Sequence, residues 1–233
     1  MTDKAGQFAG KAERWSETAY ASPDAYLAHR AELVAMLGTE LAPSDEVLDL
    51  ACGDGGLGPH LLARGLRYRG VDAESAMVEA AAQLLASARD SDNACVESTQ
   101  ALSAVERAVV EQGELDTYEP PGPVAATTVF RAIYYARDRQ AFFARARSFT
   151  EKKLVFDLNP RQYAPSVVVA ELRAAGFGSV ELRPFFVPQT RRLPAVATGA
   201  LKGLERTGPL ARLALRARFT YLVAAVRWEG LAK

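Results

Sequence analysis

Three carboxylates gather around one glycine-rich turn. Asp49 and Asp54 flank or lie within Gly53-Asp54-Gly55-Gly56-Leu57-Gly58, and Asp72 closes the next apolar run. Glycines at such a turn let backbone N–H groups come close to a ligand, and a helix starting there points its positive end the same way. Asp72 is placed to accept hydrogen bonds from ribose hydroxyls. Two acids beside the turn suit a ligand whose nearby end is cationic and repel a pyrophosphate. The chemistry expected is the binding of a cofactor with an adenosine half.

The same six residues satisfy G-x-G-x-x-G literally, so a nicotinamide dinucleotide and oxidoreductase chemistry form the alternative. That alternative has to fit a pyrophosphate where Asp54 stands. Other reactive groups are few. The chain has two histidines, His29 and His60, so a histidine base is one of two residues. Cys52 and Cys95 have no metal-ligand spacing, and no metal site is expected.

These groups must be positioned by alternating strands and helices. Glu46–Leu50 reads as a short buried strand, a helix starts near Leu57, and Leu66–Val71 reads as the second strand. A helix over 75–87 follows, and residues 90–106 carry no clear pattern. Strands are expected over 107–115, 124–130, 153–158, 179–187 and 218–228, with helices over 138–148 and 166–175. Strands alternating with short helices imply a parallel sheet with right-handed crossovers. Ahead of it, residues 11–37 read as two helices broken at Ala21-Ser22-Pro23, with Ser22 as N-cap and Pro23 at the first helical position. Tyr26, Leu27, Leu33, Val34 and Leu37 form the buried face of the second helix, with His29 and Arg30 on adjoining faces.

The segment Val47-Leu-Asp-Leu-Ala-Cys-Gly-Asp-Gly resembles the first motif of the class I S-adenosylmethionine-dependent methyltransferases, which usually reads acid-x-Gly-x-Gly-x-Gly. Ala51 stands in the first glycine position, a departure expected to narrow the turn slightly. The resemblance runs from about residue 40 to the C-terminus. It implies an α/β, Rossmann-like fold with a seven-stranded, mostly parallel sheet, its last strand antiparallel, and helices on both faces. It also implies S-adenosylmethionine as cofactor, S-adenosylhomocysteine as product, and methyl transfer by in-line displacement to O, N or C of a small acceptor. Such a reaction needs alignment and exclusion of water more than a powerful catalyst.

By this resemblance Gly53 and Gly55 lie against the methionine portion, with Asp49 near its ammonium and Ala51 and Asp54 in the same turn. Asp72 takes the ribose, Ala73 or Met77 lines the adenine, and Glu114 and Leu115 meet its edge. Phe130-Arg131-Ala132-Ile133-Tyr134-Tyr135 faces the sulfonium and acceptor, making Arg131, Tyr134 and Tyr135 candidates there; aromatic faces favour a sulfonium. Residues 1–39 form a helical lid, in which Tyr20 and Tyr26 line the pocket, Arg30 holds the methionine carboxylate and His29 accepts an acceptor proton. Residues 40–233 form the cofactor-binding domain. Asn159 is a pocket wall or a helix cap.

Residues 188–217 separate the last two strands by far more than a hairpin needs. This insert reads as one or two helices broken at Gly208-Pro209, rich in arginine, with Glu205 its single acid. It is expected to roof the pocket, with Arg191 and Arg192 selecting a hydrophobic or anionic acceptor. A basic amphipathic helix also suits an anionic membrane surface or a partner chain. Lys+Arg and Asp+Glu are each 28 in 233 residues, a balance that argues against a general nucleic-acid binder. With no signal peptide or spanning apolar run read in the chain, a cytoplasmic enzyme is expected; a non-catalytic binding protein of the same fold is the remaining reading.

Overall fold

A strand covered by helices on both sides is apolar on both faces, and β1 (Glu46–Leu50) and β4 (Val124–Val129) are buried almost throughout. Val47 joins a core with Tyr26, Leu33 and Leu61, whereas Leu48 and Leu50 join one with Phe142, Phe143 and Leu172. Successive side chains of one strand thus feed opposite layers. The computed structural model describes residues 15–93, 107–205 and 220–227.

The remaining strands are β2 (Arg67–Asp72), β3 (Ala108–Gln112), β5 (Thr150–Leu158), β6 (Phe177–Phe185) and β7 (Thr220–Arg227). The seven-stranded sheet has the order β3-β2-β1-β4-β5-β7-β6. β1 pairs in parallel with β2 and β4, and β7 is antiparallel to both β5 and β6. The chain winds outward in opposite directions from the β1–β4 junction. That junction is the switch point at which open α/β sheets bind ligands. β6 runs the same way as β1, as expected.

The helices are α1 (Trp15–Ala19), α2 (Pro23–Met36), α3 (Gly58–Leu62), α4 (Ser75–Asn93), α5 (Arg139–Phe149), α6 (Pro165–Ala174) and α7 (Ala195–Glu205). α2 begins where expected, with Ser22 at the N-cap and Pro23 at the first position, although the Ser22 side chain makes no capping bond. Its other end is closed by a buried lysine. Lys153 on β5 donates to Ala35 O (3.1 Å) and Leu37 O (2.7 Å), and burial pulls its ammonium down to about 7. α2 packs by Tyr26, Leu27, Leu33, Val34 and Leu37, all buried. His29 and Arg30 are buried too, 3% and 1% exposed, so the polar face read from the sequence is an interior one.

α7 is the described part of the insert. Its second half, with Gly208-Pro209, and residues 94–106 lie outside the described residues. Among the described residues no helix is long and apolar enough to cross a membrane.

Candidate active site

The turn after β1 is held in shape by β2. Cys52 N donates to Val71 O (3.0 Å), and Gly53 N donates to the Asp72 carboxylate (2.8 Å). Gly53 and Gly55 take φ of +60 and +71°, as does Ala51 at +56°. A left-handed alanine is strained by about 1 kcal/mol or more, so the departure at Ala51 keeps the glycine geometry instead of narrowing the turn. Gly55 does not line the cavity. A Cβ there would lie 2.8 Å from Ala81 Cβ, so this glycine lets the turn pack on α4.

Asp49 sits beneath the turn, 3% exposed, accepting from Thr128 Oγ1 (2.7 Å) on β4 and Tyr68 OH (3.1 Å) on β2. Burial pushes its carboxyl up to about 6 despite these bonds and the Arg30 charge. Asp72 accepts from Gly53 N and from Glu74 N (3.1 Å), and burial raises it as well. It therefore fastens the turn and the start of α4 while lining the cavity. Buried acids held above their usual range stand ready for a cationic or hydroxyl-rich ligand.

The strand ends enclose a cavity of about 570 Å³. Along one side run Asp49, Ala51, Gly53, Asp72, Ala73 and Met77, continued by Gly113, Glu114 and Leu115 at the end of β3. Gly113 N donates to Asp72 O (3.0 Å), and Arg145 donates to Leu115 O. Phe130, Arg131, Ala132, Tyr134 and Tyr135 after β4 also line the cavity, with Trp15, Tyr20 and Arg30 from the N-terminal helices. Tyr134 and Tyr135 are 40% and 50% exposed, and burial pushes the Tyr134 hydroxyl up to about 12.

Asp54 does not present free oxygens to the cavity. Oδ2 accepts from Ser16 N (2.7 Å) and Oδ1 from Ser16 Oγ (2.6 Å), which latches α1 onto the glycine turn. Trp15 then lies over Gly53, where a Cβ would come within 3.1 Å of its ring. Arg30 is packed over Phe130 (4.2 Å to the ring centre), with Nη2 3.1 Å from Tyr26 OH and 3.5 Å from Asp157 Oδ2.

Five further expected positions fall away from the cavity. His29 points into the interior, its Nε2 2.7 Å from Glu205 Oε2 and its Nδ1 3.4 Å from Glu32. Glu205 also accepts from Phe186 N (2.6 Å), so the insert's single acid anchors α7 to α2. Tyr26 stacks on Tyr20 (4.5 Å between ring centres) and abuts Phe185, buried from any substrate. Asn159 is exposed and accepts from Arg161 N (3.0 Å), forming the turn after β5. Arg191 and Arg192 are exposed outside the cavity, where Arg192 Nε donates to Ala21 O (2.6 Å).

Two contributors were missed. Ser16 has no motif to betray it. Asp157 bonds Arg131 N (2.6 Å) and faces Arg30. It had a signal, because it is an acid near the C-terminal end of an apolar strand, as Asp49 and Asp72 are.

Residues 48–151 match the family model of a methyltransferase domain. No curated protein matches the sequence. Among solved structures, the chain is similar to the glycopeptide N-methyltransferase MtfA complexed with S-adenosylmethionine. That match has 15% identity and a TM-score of 0.58 and covers 86% of this chain and 94% of the other. It is also similar to the complex between the Haloferax volcanii Trm112 methyltransferase activator and a methyltransferase, at 16% identity and a TM-score of 0.59, covering 94% and 97%. Magnesium protoporphyrin IX methyltransferase from Synechocystis PCC 6803 matches at 15% identity and a TM-score of 0.51, covering 97% and 86%. These likenesses carry the fold, with its strand order and antiparallel last strand, and the domain match covers its β1-to-β5 part. Residues 48–151 thus match a methyltransferase domain, within a chain that has the fold of S-adenosylmethionine-dependent methyltransferases.

Proposed function

We propose that this enzyme methylates a small-molecule acceptor, using one cavity, at the ends of β1 to β4, for both cofactor and acceptor. One observation carries the reading. The left-handed glycine turn, Asp72 and the Gly113–Leu115 segment line one cavity together with the aromatic side chains of Trp15, Tyr20 and Tyr134. The cavity volume is in the range of small-molecule sites.

The residues present fit S-adenosylmethionine. Gly53 lines the cavity without a side chain, Asp49 matches an ammonium, Asp72 matches ribose hydroxyls, and Met77 with Leu115 offers apolar walls to a purine edged by Glu114. Arg30 is the match for a methionine carboxylate: it lines the cavity, is 1% exposed, and its Nε has no partner among the described residues. When bound, the cofactor supplies an electrophilic methyl on a sulfonium whose leaving group needs no proton. The chain's own part is orientation and water exclusion. α1, latched through Ser16 to Asp54, covers the turn, and aromatic faces favour the cation. Neither histidine lines the cavity, so acceptor deprotonation, where required, falls to other residues.

The relatives act on a glycopeptide and on magnesium protoporphyrin IX, which supports a small-molecule acceptor here. The dinucleotide alternative is disfavoured by Asp54, whose carboxylate and bonded α1 occupy the approach that a pyrophosphate needs. Calorimetric titration with S-adenosylmethionine, S-adenosylhomocysteine and NADH tests the reading. Micromolar binding of the adenosyl ligands, weakened about 10-fold or more by Asp72→Ala, is expected. Binding of NADH alone would sink it.

A further inference from the structure

With Arg191 and Arg192 outside the cavity, another cation faces the acceptor. Arg131 follows β4, in the segment whose Tyr134 and Tyr135 stand half-exposed at the cavity mouth. Three features single it out. Its backbone sits at φ +57°, a left-handed conformation unfavourable for a residue with a side chain, held there by the bond from its N–H to Asp157. Its guanidinium stands 5.4 and 5.7 Å from the ring centres of Trp15 and Tyr20, and it forms no ion pair among the described residues. Its Nη1 is buried without a hydrogen-bond partner among those residues. A buried donor that protein acceptors leave unsatisfied calls for an explanation, and strain held in place by neighbours is concentrated at ligand sites. A guanidinium is shaped to receive a planar anion through two bonds.

We infer that Arg131 receives a carboxylate of the methyl acceptor, and so selects anionic, ring-bearing small molecules. This rests on the methyltransferase reading of the cavity. The cofactor's own carboxylate is the other source of the same chemistry, and the experiment below distinguishes the two. Arg30 is buried against Phe130 and Tyr26, on α2. Arg131 belongs to the segment at the mouth, and its charge acts on the Tyr134 hydroxyl. A negative acceptor also complements the sulfonium it must approach, while Trp15, Tyr20 and Tyr134 offer faces to a ring.

The test uses the full chain saturated with S-adenosylhomocysteine, titrated with benzoate and with the neutral isostere benzamide. Calorimetry and the fluorescence of Trp15, which adjoins Arg131, report binding. Benzoate should bind about 10-fold tighter than benzamide; Arg131→Gln should erase that preference, and Arg131→Lys should retain part of it. Both variants should hold S-adenosylhomocysteine within about threefold of wild type, with thermal melts by circular dichroism checking their folding. No preference in the wild type, or a preference that survives Arg131→Gln, overturns the inference. So does an Arg131→Gln protein that loses S-adenosylhomocysteine 10-fold or more yet binds methylthioadenosine normally, because the anion is then the cofactor's. Failure of the wild type to bind S-adenosylhomocysteine at all would overturn the methyltransferase reading beneath it, a separate result.

Discussion

The half of the cavity proposed to hold the cofactor is made by the ends of three strands consecutive in the chain, β1 to β3. The half proposed to hold the acceptor is made by α1, α2 and the turn after β4, which Asp157 on β5 fastens from behind. In the first half, backbone geometry dominates: a left-handed turn fastened to β2 and packed on α4. In the second, long side chains from distant segments meet, as where Asp157 joins Arg30 to the Arg131 backbone. A site built from local backbone tolerates little change in its glycines. A site built from converging side chains can change its ligand while the scaffold stays the same.

The sharpest way to break the cofactor half is Gly55→Ala. A left-handed alanine, with its Cβ pressed to 2.8 Å from Ala81, should lose about 2–4 kcal/mol of stability and the cofactor affinity with it. Urea denaturation measures the first and calorimetry the second. A stable Gly55→Ala protein would mean that the turn adapts more than its packing suggests.

Asp49→Asn should separate stability from function. The native carboxyl titrates at about 6 and the unfolded one near 3.8, so the native state holds the extra proton between those values. Stability therefore falls as pH rises through that window, by on the order of 3 kcal/mol, and stays low above it. The asparagine, still able to bond Tyr68 and Thr128, should flatten that fall and raise the melting point at pH 7. Its S-adenosylmethionine affinity should drop about 10-fold or more. Melting curves from pH 3 to 7 for both proteins check the sign; parallel curves would remove the argument.

Ser16→Ala probes the joint between the halves. It removes the hydroxyl that donates to Asp54 and leaves the backbone N–H. A loss of about 1 kcal/mol should appear as a several-fold faster release of S-adenosylhomocysteine in stopped flow, with little change in melting. Smallest of all, Arg191→Ala should leave stability within about 0.5 kcal/mol of wild type, since it is an exposed surface change. Arg192→Ala, which loses the bond to Ala21 O, should act slightly more strongly. A raised acceptor KM in Arg191→Ala would restore the insert to the acceptor half.

The glycine turn and the acids around it were legible because their signals are local. Four glycines and an acid at one turn, and a second acid ending the next strand, constrain the backbone without reference to the rest of the chain. The strand order and the antiparallel last strand came through the family resemblance, and the sheet has them. The acceptor half was read unevenly. Arg30, Arg131, Tyr134 and Tyr135 do line the cavity, whereas His29, Tyr26, Arg191 and Arg192 do not. Residue type alone cannot tell a histidine that faces a ligand from one locked to a buried glutamate on α7.

Sequence by itself determined where the chain must turn, because positive φ and close approach restrict those positions to glycine or to a strained substitute such as Ala51. It also determined which strands are buried, because apolar runs have nowhere else to go. Only the tertiary structure decided the direction of each long polar side chain. Asp54 turns to Ser16, His29 to Glu205, and Lys153 to the end of α2. The physical reason is that a buried polar group takes whichever complementary partner folding brings within reach, and those partners lie far away in the chain.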